Sequence, residues 1–278
     1  MEQCNAMDST TLRSVLQLDS IKGYEKLSKI SADAWILIEE PTGLVISQKN
    51  AHKRMYPASL TKMMTCILAL ENGRMDEVID ISEDVALVRD GRVKLGESYL
   101  AGDLLREMMV QSDNDAAYAM AKHVSGDTLR FCRMMNDRAA FLRMDSTRFA
   151  NPNGMPNDSN YSSARDLLVL ARYCMLDTTF AQIVGSKAMK IPLTDGRHLD
   201  IQNTNTLLTN YKGCNGIKTG YTRQAGGCLA ITATRDDITL TLILLKSRSR
   251  WTRFIEATDL LDYGFNVMKA YRDEEGER

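Results

Sequence analysis

Apolar strand-like runs stand near both ends of the chain, and the long stretch between them has helical periodicity. No other feature restricts the fold so much. "DAWILIEEPTGLVISQ", Asp33 to Gln48, reads as two strands around the turn Glu40-Pro41-Thr42-Gly43. Strand patterns return in "NGIKTG", "GGCLAITATR" and "ITLTLILLK", the last two joined by a turn at Asp236-Asp237. From Pro57 to about Lys187 the pattern is mostly helical. Two strands at one end and three at the other need each other to bury their faces. The expected fold is α/β: one antiparallel sheet of about five strands, flanked by helices, with a mainly helical subdomain inserted.

Local signals fill in this frame. Residues 10–30 read as a helix carrying Leu12, Val15, Leu16 and Leu18. Asp103 is the expected cap of "LLREMMV", and Asp115 of "AAYAMAKHV", which stops at Gly126. "NPNGMPNDSNYSS" is a loop of clustered turn residues, and "MKIPLTDGRHLDIQ" a small hairpin turning at Asp195-Gly196. "TRFIEATDLLDYGFNVMKAY" reads as a closing amphipathic helix, and "RDEEGER", residues 272–278, as a frayed charged tail.

Composition removes several function classes. With 35 basic and 36 acidic residues, bulk charge does not point to nucleic acid, and the cluster Lys246, Arg248, Arg250 is too short to change that. No run of 18 or more apolar residues exists, so no transmembrane segment is expected. The start, "MEQCNAMDSTTLRSVLQ", lacks the layout of an export signal, so either the protein is cytoplasmic or a leader is missing from this chain. Six cysteines without a C-x-x-C pair, and only three histidines, argue against a zinc site, and no cofactor is expected. Most of the cysteines look like small buried hydrophobes; Cys214 and Cys228 flank an expected hairpin, which leaves their pairing open.

Three short motifs carry the chemistry. In "PASLTKMMTC", Ser59 and Lys62 lie one turn apart at the mouth of an apolar helix. Alone, a capping Ser and a snorkelling Lys explain this stretch. Ser112-Asp113-Asn114 sits between two expected helices, and Lys218-Thr219-Gly220 at the end of an expected strand. Together and in this order they make the set S-x-x-K, S-D-N, K-T-G of penicillin-binding proteins and class A β-lactamases.

From about Asp33 to Tyr271 the chain resembles the D-alanyl-D-alanine carboxypeptidases, low-molecular-mass penicillin-binding proteins that trim peptidoglycan stem peptides. The likeness also rests on "SDNDAAYAMAKHVSG", "NPNGMP", "NTNTLL", "GIKTGYTRQAGGCL" and "LLDYGF". It departs at Asp113, where these enzymes often have Gly, and in lacking an export signal and a C-terminal sandwich or anchor. The resemblance implies a bacterial cell-envelope enzyme acting outside the cytoplasm, on peptides ending in D-Ala-D-Ala, and inhibited covalently by β-lactams. It also makes residues 33–271 a transpeptidase-like catalytic domain and 1–32 a helical segment of the same unit.

The residues suit that reaction. Ser59 is the nucleophile and Lys62 its base, made neutral by burial and by the second cation, Lys218. An oxyanion would meet the Ser59 N–H and, by resemblance, that of Tyr221 beyond Gly220. Ser112 would relay a proton to the leaving amine, and Asn114 would bind a substrate amide. Lys218 and Thr219 offer charge and hydroxyl to the terminal carboxylate. Arg253 matches the family position thought to steer it, although a solvated helix residue explains Arg253 equally well.

Rival readings separate on single features. Class A β-lactamases deacylate with a glutamate between the second and third motifs, and here no Glu occurs between Glu107 and Glu256. A serine glutaminase fits the "GIKTGYT" stretch less well. A non-catalytic penicillin-binding sensor would be acylated at Ser59 without turning over peptide.

Overall fold

The computed structural model describes residues 16–40, 42–86 and 91–276. In chain order the strands are β1 Ala34–Glu40, β2 Leu44–Lys49, β3 Val78–Asp80, β4 Ser98–Leu100, β5 Ala188–Pro192, β6 His198–Gln202, β7 Cys214–Thr222, β8 Gly226–Arg235 and β9 Ile238–Ser247. The α-helices are α1 Tyr24–Leu27, α2 Lys62–Asn72, α3 Ala101–Val110, α4 Asn114–Ser125, α5 Thr128–Phe141, α6 Ala164–Met175, α7 Thr178–Gly185, α8 Leu207–Asn210 and α9 Thr252–Gly276. Five strands form one antiparallel sheet in the order β2-β1-β9-β8-β7, so the N-terminal hairpin joins the C-terminal strands as expected. That order leaves β7 at an edge.

The strands read as unbroken apolar runs because both faces of the sheet are covered. Ile36, Ile38, Ala230, Ile243 and Leu245 enter the larger core beneath the helical middle. Their alternating neighbours Trp35, Leu37, Leu229, Ile231, Leu242 and Leu244 enter a second core under α9. Helix α9 lies close: a Cβ on Gly264 would come within 2.8 Å of Leu37. Helix α2 is buried along Lys62–Ala69 rather than on one face, because α3, α4, α5, α6 and α7 all pack against it.

Several local expectations change. Of the N-terminal helix, residues 10–15 lie outside the described part, and the rest is a single 3₁₀ turn at Leu18–Ser20 and then α1. Gly23 separates them with φ +100°, a conformation that no helix interior tolerates. Leu100, not Asp103, stands at the cap of α3; Asp103 lies in its first turn and pairs with Arg106 at 2.7 Å. The cap of α4 is Asp113, not Asp115, and the helix does end at Gly126 in a left-handed conformation. The β3–β4 hairpin interrupts the helical middle with strands too short to show in a hydrophobic pattern. The expected frayed tail instead continues α9 through Gly276. Cys214 lies opposite Ala233 and Cys228 opposite Gly220, far apart along the hairpin, and both are free thiols. Among the described residues no single helix is long and apolar enough to cross a membrane.

Candidate active site

Ser59 lies in a 3₁₀ turn, Ala58–Thr61, that runs directly into α2. Ala58 takes φ +48°, which residues with a Cβ rarely adopt, and such strain gathers at functional turns. The turn is held in place by two close backbone approaches. A Cβ on Gly154 would fall 1.9 Å from the Ala58 carbonyl, and one on Gly220 would fall 3.0 Å from the Ser59 nitrogen. Only glycine fits at 154, and a side chain at 220 would press on the Ser59 backbone.

Lys62 is fully buried, and its Nζ lies 3.1 Å from Ser59 Oγ, 2.8 Å from Asn114 Oδ1 and 2.9 Å from the Asn153 carbonyl. Burial pushes its pKa down from 10.5 to about 7, opposed in part by the charge of Asp113. The partners decide what a neutral amine does here. It has two N–H bonds and one lone pair. Two of the three partners are oxygens that can only accept, so they take both N–H bonds. The lone pair is left for the one partner with a proton to give, the Ser59 hydroxyl.

The second motif crosses from α3 to α4. Ser112 takes φ +67°, and its Oγ has no protein partner among the described residues. Asp113 is buried and caps α4 by accepting the Ala116 N–H at 2.9 Å. Its other oxygen accepts the backbone N–H groups of Arg92 and Val93. The side chain where the resembled family often has Gly thus fastens the 91–93 segment to the helix start that presents Asn114. Near it Glu107 is buried, neither carboxylate oxygen is hydrogen-bonded among the described residues, and burial, then the Asp113 charge, lifts its pKa to about 7.

The third motif lies within β7, which continues to Thr222 rather than ending at Gly220. Lys218 is buried and donates to the Thr219 carbonyl at 3.2 Å. Burial drives its pKa well below 10.5, and the charges of Lys62 and Arg253 add to that. Thr219 Oγ1 lies 2.6 Å from Thr204 Oγ1. Arg253, from the first turn of α9, is buried and not a solvated helix residue; its Nη1 donates to the Gly220 carbonyl at 2.6 Å. Tyr221 is exposed, with the Arg250 guanidinium 4.7 Å from its ring centre.

The hydrogen bonds and close approaches join Ser59, Lys62 and Asn114 on one side and Lys218, Thr219, Gly220 and Arg253 on the other. The two groups meet where Gly220 passes the Ser59 backbone. Among the described residues, neither Ser112 nor Tyr221 makes a side-chain hydrogen bond to the other site side chains. Asn153, Gly154 and Thr204 were not singled out from the sequence. Asn153 acts through its carbonyl and Gly154 through the absence of a side chain, and neither property has a residue signature. The stretches "NPNGMP" and "NTNTLL" that hold all three were the available signal.

Comparison with known proteins identifies the family. A family model described as D-alanyl-D-alanine carboxypeptidase matches residues 21–249. The chain is similar to D-alanyl-D-alanine carboxypeptidase DacF of Bacillus subtilis, 31% identical over 247 residues that cover 86% of this chain and 64% of that protein. It therefore spans just under two thirds of that relative. It is also similar to the D-alanyl-D-alanine carboxypeptidase of Streptomyces sp. strain K15, at 34% identity over 85% of this chain and 88% of the relative. The crystal structure of the Streptomyces K15 DD-transpeptidase aligns with a TM-score of 0.80 at 32% identity, covering 85% of this chain and 97% of that one.

Proposed function

The chain belongs to the D-alanyl-D-alanine carboxypeptidase family of serine hydrolases, and from that we propose that it removes the terminal D-alanine of peptidoglycan stem peptides through a Ser59 acyl-enzyme. The observation that carries this reading is the partner set of Lys62, which leaves a neutral amine's lone pair for the Ser59 hydroxyl. Lys62 takes the Ser59 proton as Oγ attacks the scissile carbonyl. The oxyanion lies between the N–H groups of Ser59 and Tyr221. On collapse the C–N bond breaks, and the proton passes from Lys62 through Ser112 to the departing amine. Water then hydrolyses the ester, with Lys62 again the base. Asn114 aligns the substrate amide. The reading places the reaction in the bacterial cell envelope, where peptidoglycan is.

Lys218, Thr219 and Arg253 receive the carboxylate of the departing D-alanine. Two buried cations with few acceptors are costly until an anion arrives. The substrate carboxylate supplies that anion. The peptide lies extended along the open edge of β7, as in strand addition to a sheet.

Two measurements test the reading. A peptide ending in D-Ala-D-Ala should release free D-alanine, and an acylated but non-hydrolysing protein would be a sensor instead. Arg253→Ala should then lower kcat/KM roughly ten- to a hundredfold, from the loss of about 1.5–3 kcal/mol of charge-assisted bonding. The C-terminal amide should be a poor substrate for the wild type and lose little more in the variant. Equal losses on acid and amide would mean that Arg253 only straps β7 through the Gly220 carbonyl.

A further inference from the structure

The segment that leads into Ser59 forms one wall of a second cavity, of about 440 Å³. Lys53, Arg54, Tyr56, Tyr161, Gln224 and Lys246 line it. Tyr56 stands three residues before Ser59, and Gln224 three after Tyr221, in the β7–β8 turn. The lining is cationic. Lys246 pairs with Asp33 at 3.3 Å, but neither Lys53 nor Arg54 has a carboxylate partner among the described residues. Arg54 is stacked over the Tyr161 ring, 4.7 Å from its centre, which fixes the guanidinium at the rim. The cavity's one carboxylate, Asp158, is engaged by the Tyr56 hydroxyl at 2.8 Å.

The direction of β7 says which part of a substrate comes here. Lys218 and Thr219 precede the junction at Ser59, and they hold the leaving D-alanine. The acyl part lies on the opposite side of the scissile carbon. It must therefore extend the other way along β7, past Thr222 toward the turn that carries Gln224. We propose that this cavity is the acyl-side subsite, and that Lys53 and Arg54 there recognise a carboxylate on a residue that precedes the two D-alanines. This deepens the carboxypeptidase reading and rests on it. The volume is that of an ordinary ligand pocket, ample for one acidic side chain.

Two acetylated tripeptides ending in D-Ala-D-Ala, one starting with L-glutamate and one with its isostere L-glutamine, test the subsite. At low salt the wild type should favour the glutamate peptide in kcat/KM by roughly fivefold, the scale of exposed charge pairs. The preference should shrink as salt is added. In Lys53→Ala/Arg54→Ala the ratio of the two peptides should fall to one. Equal rates in the wild type, or a preference that survives the double substitution, overturns the subsite and leaves D-alanine release standing. If neither peptide is cleaved, penicillins read the cavity by themselves, since their side chain occupies the acyl side. Ser59 should then acylate faster with a benzylpenicillin bearing an added side-chain carboxylate than with benzylpenicillin, and equal acylation rates overturn the proposal.

Discussion

Ser59→Ala is expected to abolish both covalent labelling by penicillin and release of D-alanine, while the protein stays folded. The side chain is small and half-buried, and among the described residues it is hydrogen-bonded only to Lys62, so its removal leaves packing intact. Lys62→Ala should slow acylation by about a thousandfold or more, because coupled catalytic groups fail as a unit. The pH dependence separates a base from a merely structural lysine. Only the neutral amine can accept the Ser59 proton. With the Lys62 pKa lowered to about 7, acylation should be weak below that pH, rise through it and level off above. The residual rate of Lys62→Ala should lack this rise. Penicillin labelling of Ser59→Ala, measured by intact mass, would sink the nucleophile assignment; a rise through pH 7 that persists without Lys62 would sink the base.

Penicillin should acylate nearly every molecule once and then stay. Opening of the β-lactam ring by Ser59 gives an ester whose leaving group remains tethered and blocks one approach to the carbonyl. Hydrolysis needs a base to activate water from another side. No Glu occurs between Glu107 and Glu256, and Glu107 itself is fully buried, near the charge of Asp113. Lys62 remains the base that hydrolyses the peptide ester, but here the tethered leaving group keeps water from the approach that Lys62 serves beside Ser59. The acyl-enzyme should therefore last from minutes to hours, with the added mass on the peptide that contains Ser59. Rapid multiple turnover without an adduct would move the chain to the β-lactamases.

The sheet and the three motifs were legible because each has a sequence signature. Apolar runs such as "WILI" and "LTLILL" fit strands covered on both faces, and Ser59, Lys62 and Asn114 belong to spaced motifs. Features without such a signature stayed hidden. The cap at Asp113 was assigned to Asp115 because the two aspartates are separated only by Asn114, and only backbone geometry chooses between them. The burial of Arg253 depends on where α9 lands against β7, which no local pattern encodes. The 3.1 Å contact of Lys62 with Ser59 was foreseen from helical spacing; the carbonyl of Asn153 that completes its partners comes from a loop far along the chain.

The edge position of β7 has a consequence for how the protein behaves in solution. Sheets usually shield an edge strand against pairing with another molecule, and under the proposed reaction β7 must stay accessible to admit a peptide. The catalytic opening is thus also the place where two copies are most apt to stick together. An occupant there acts as a solubility aid as well as a ligand: preparations acylated by a β-lactam should resist self-association at concentrations where the free enzyme clumps.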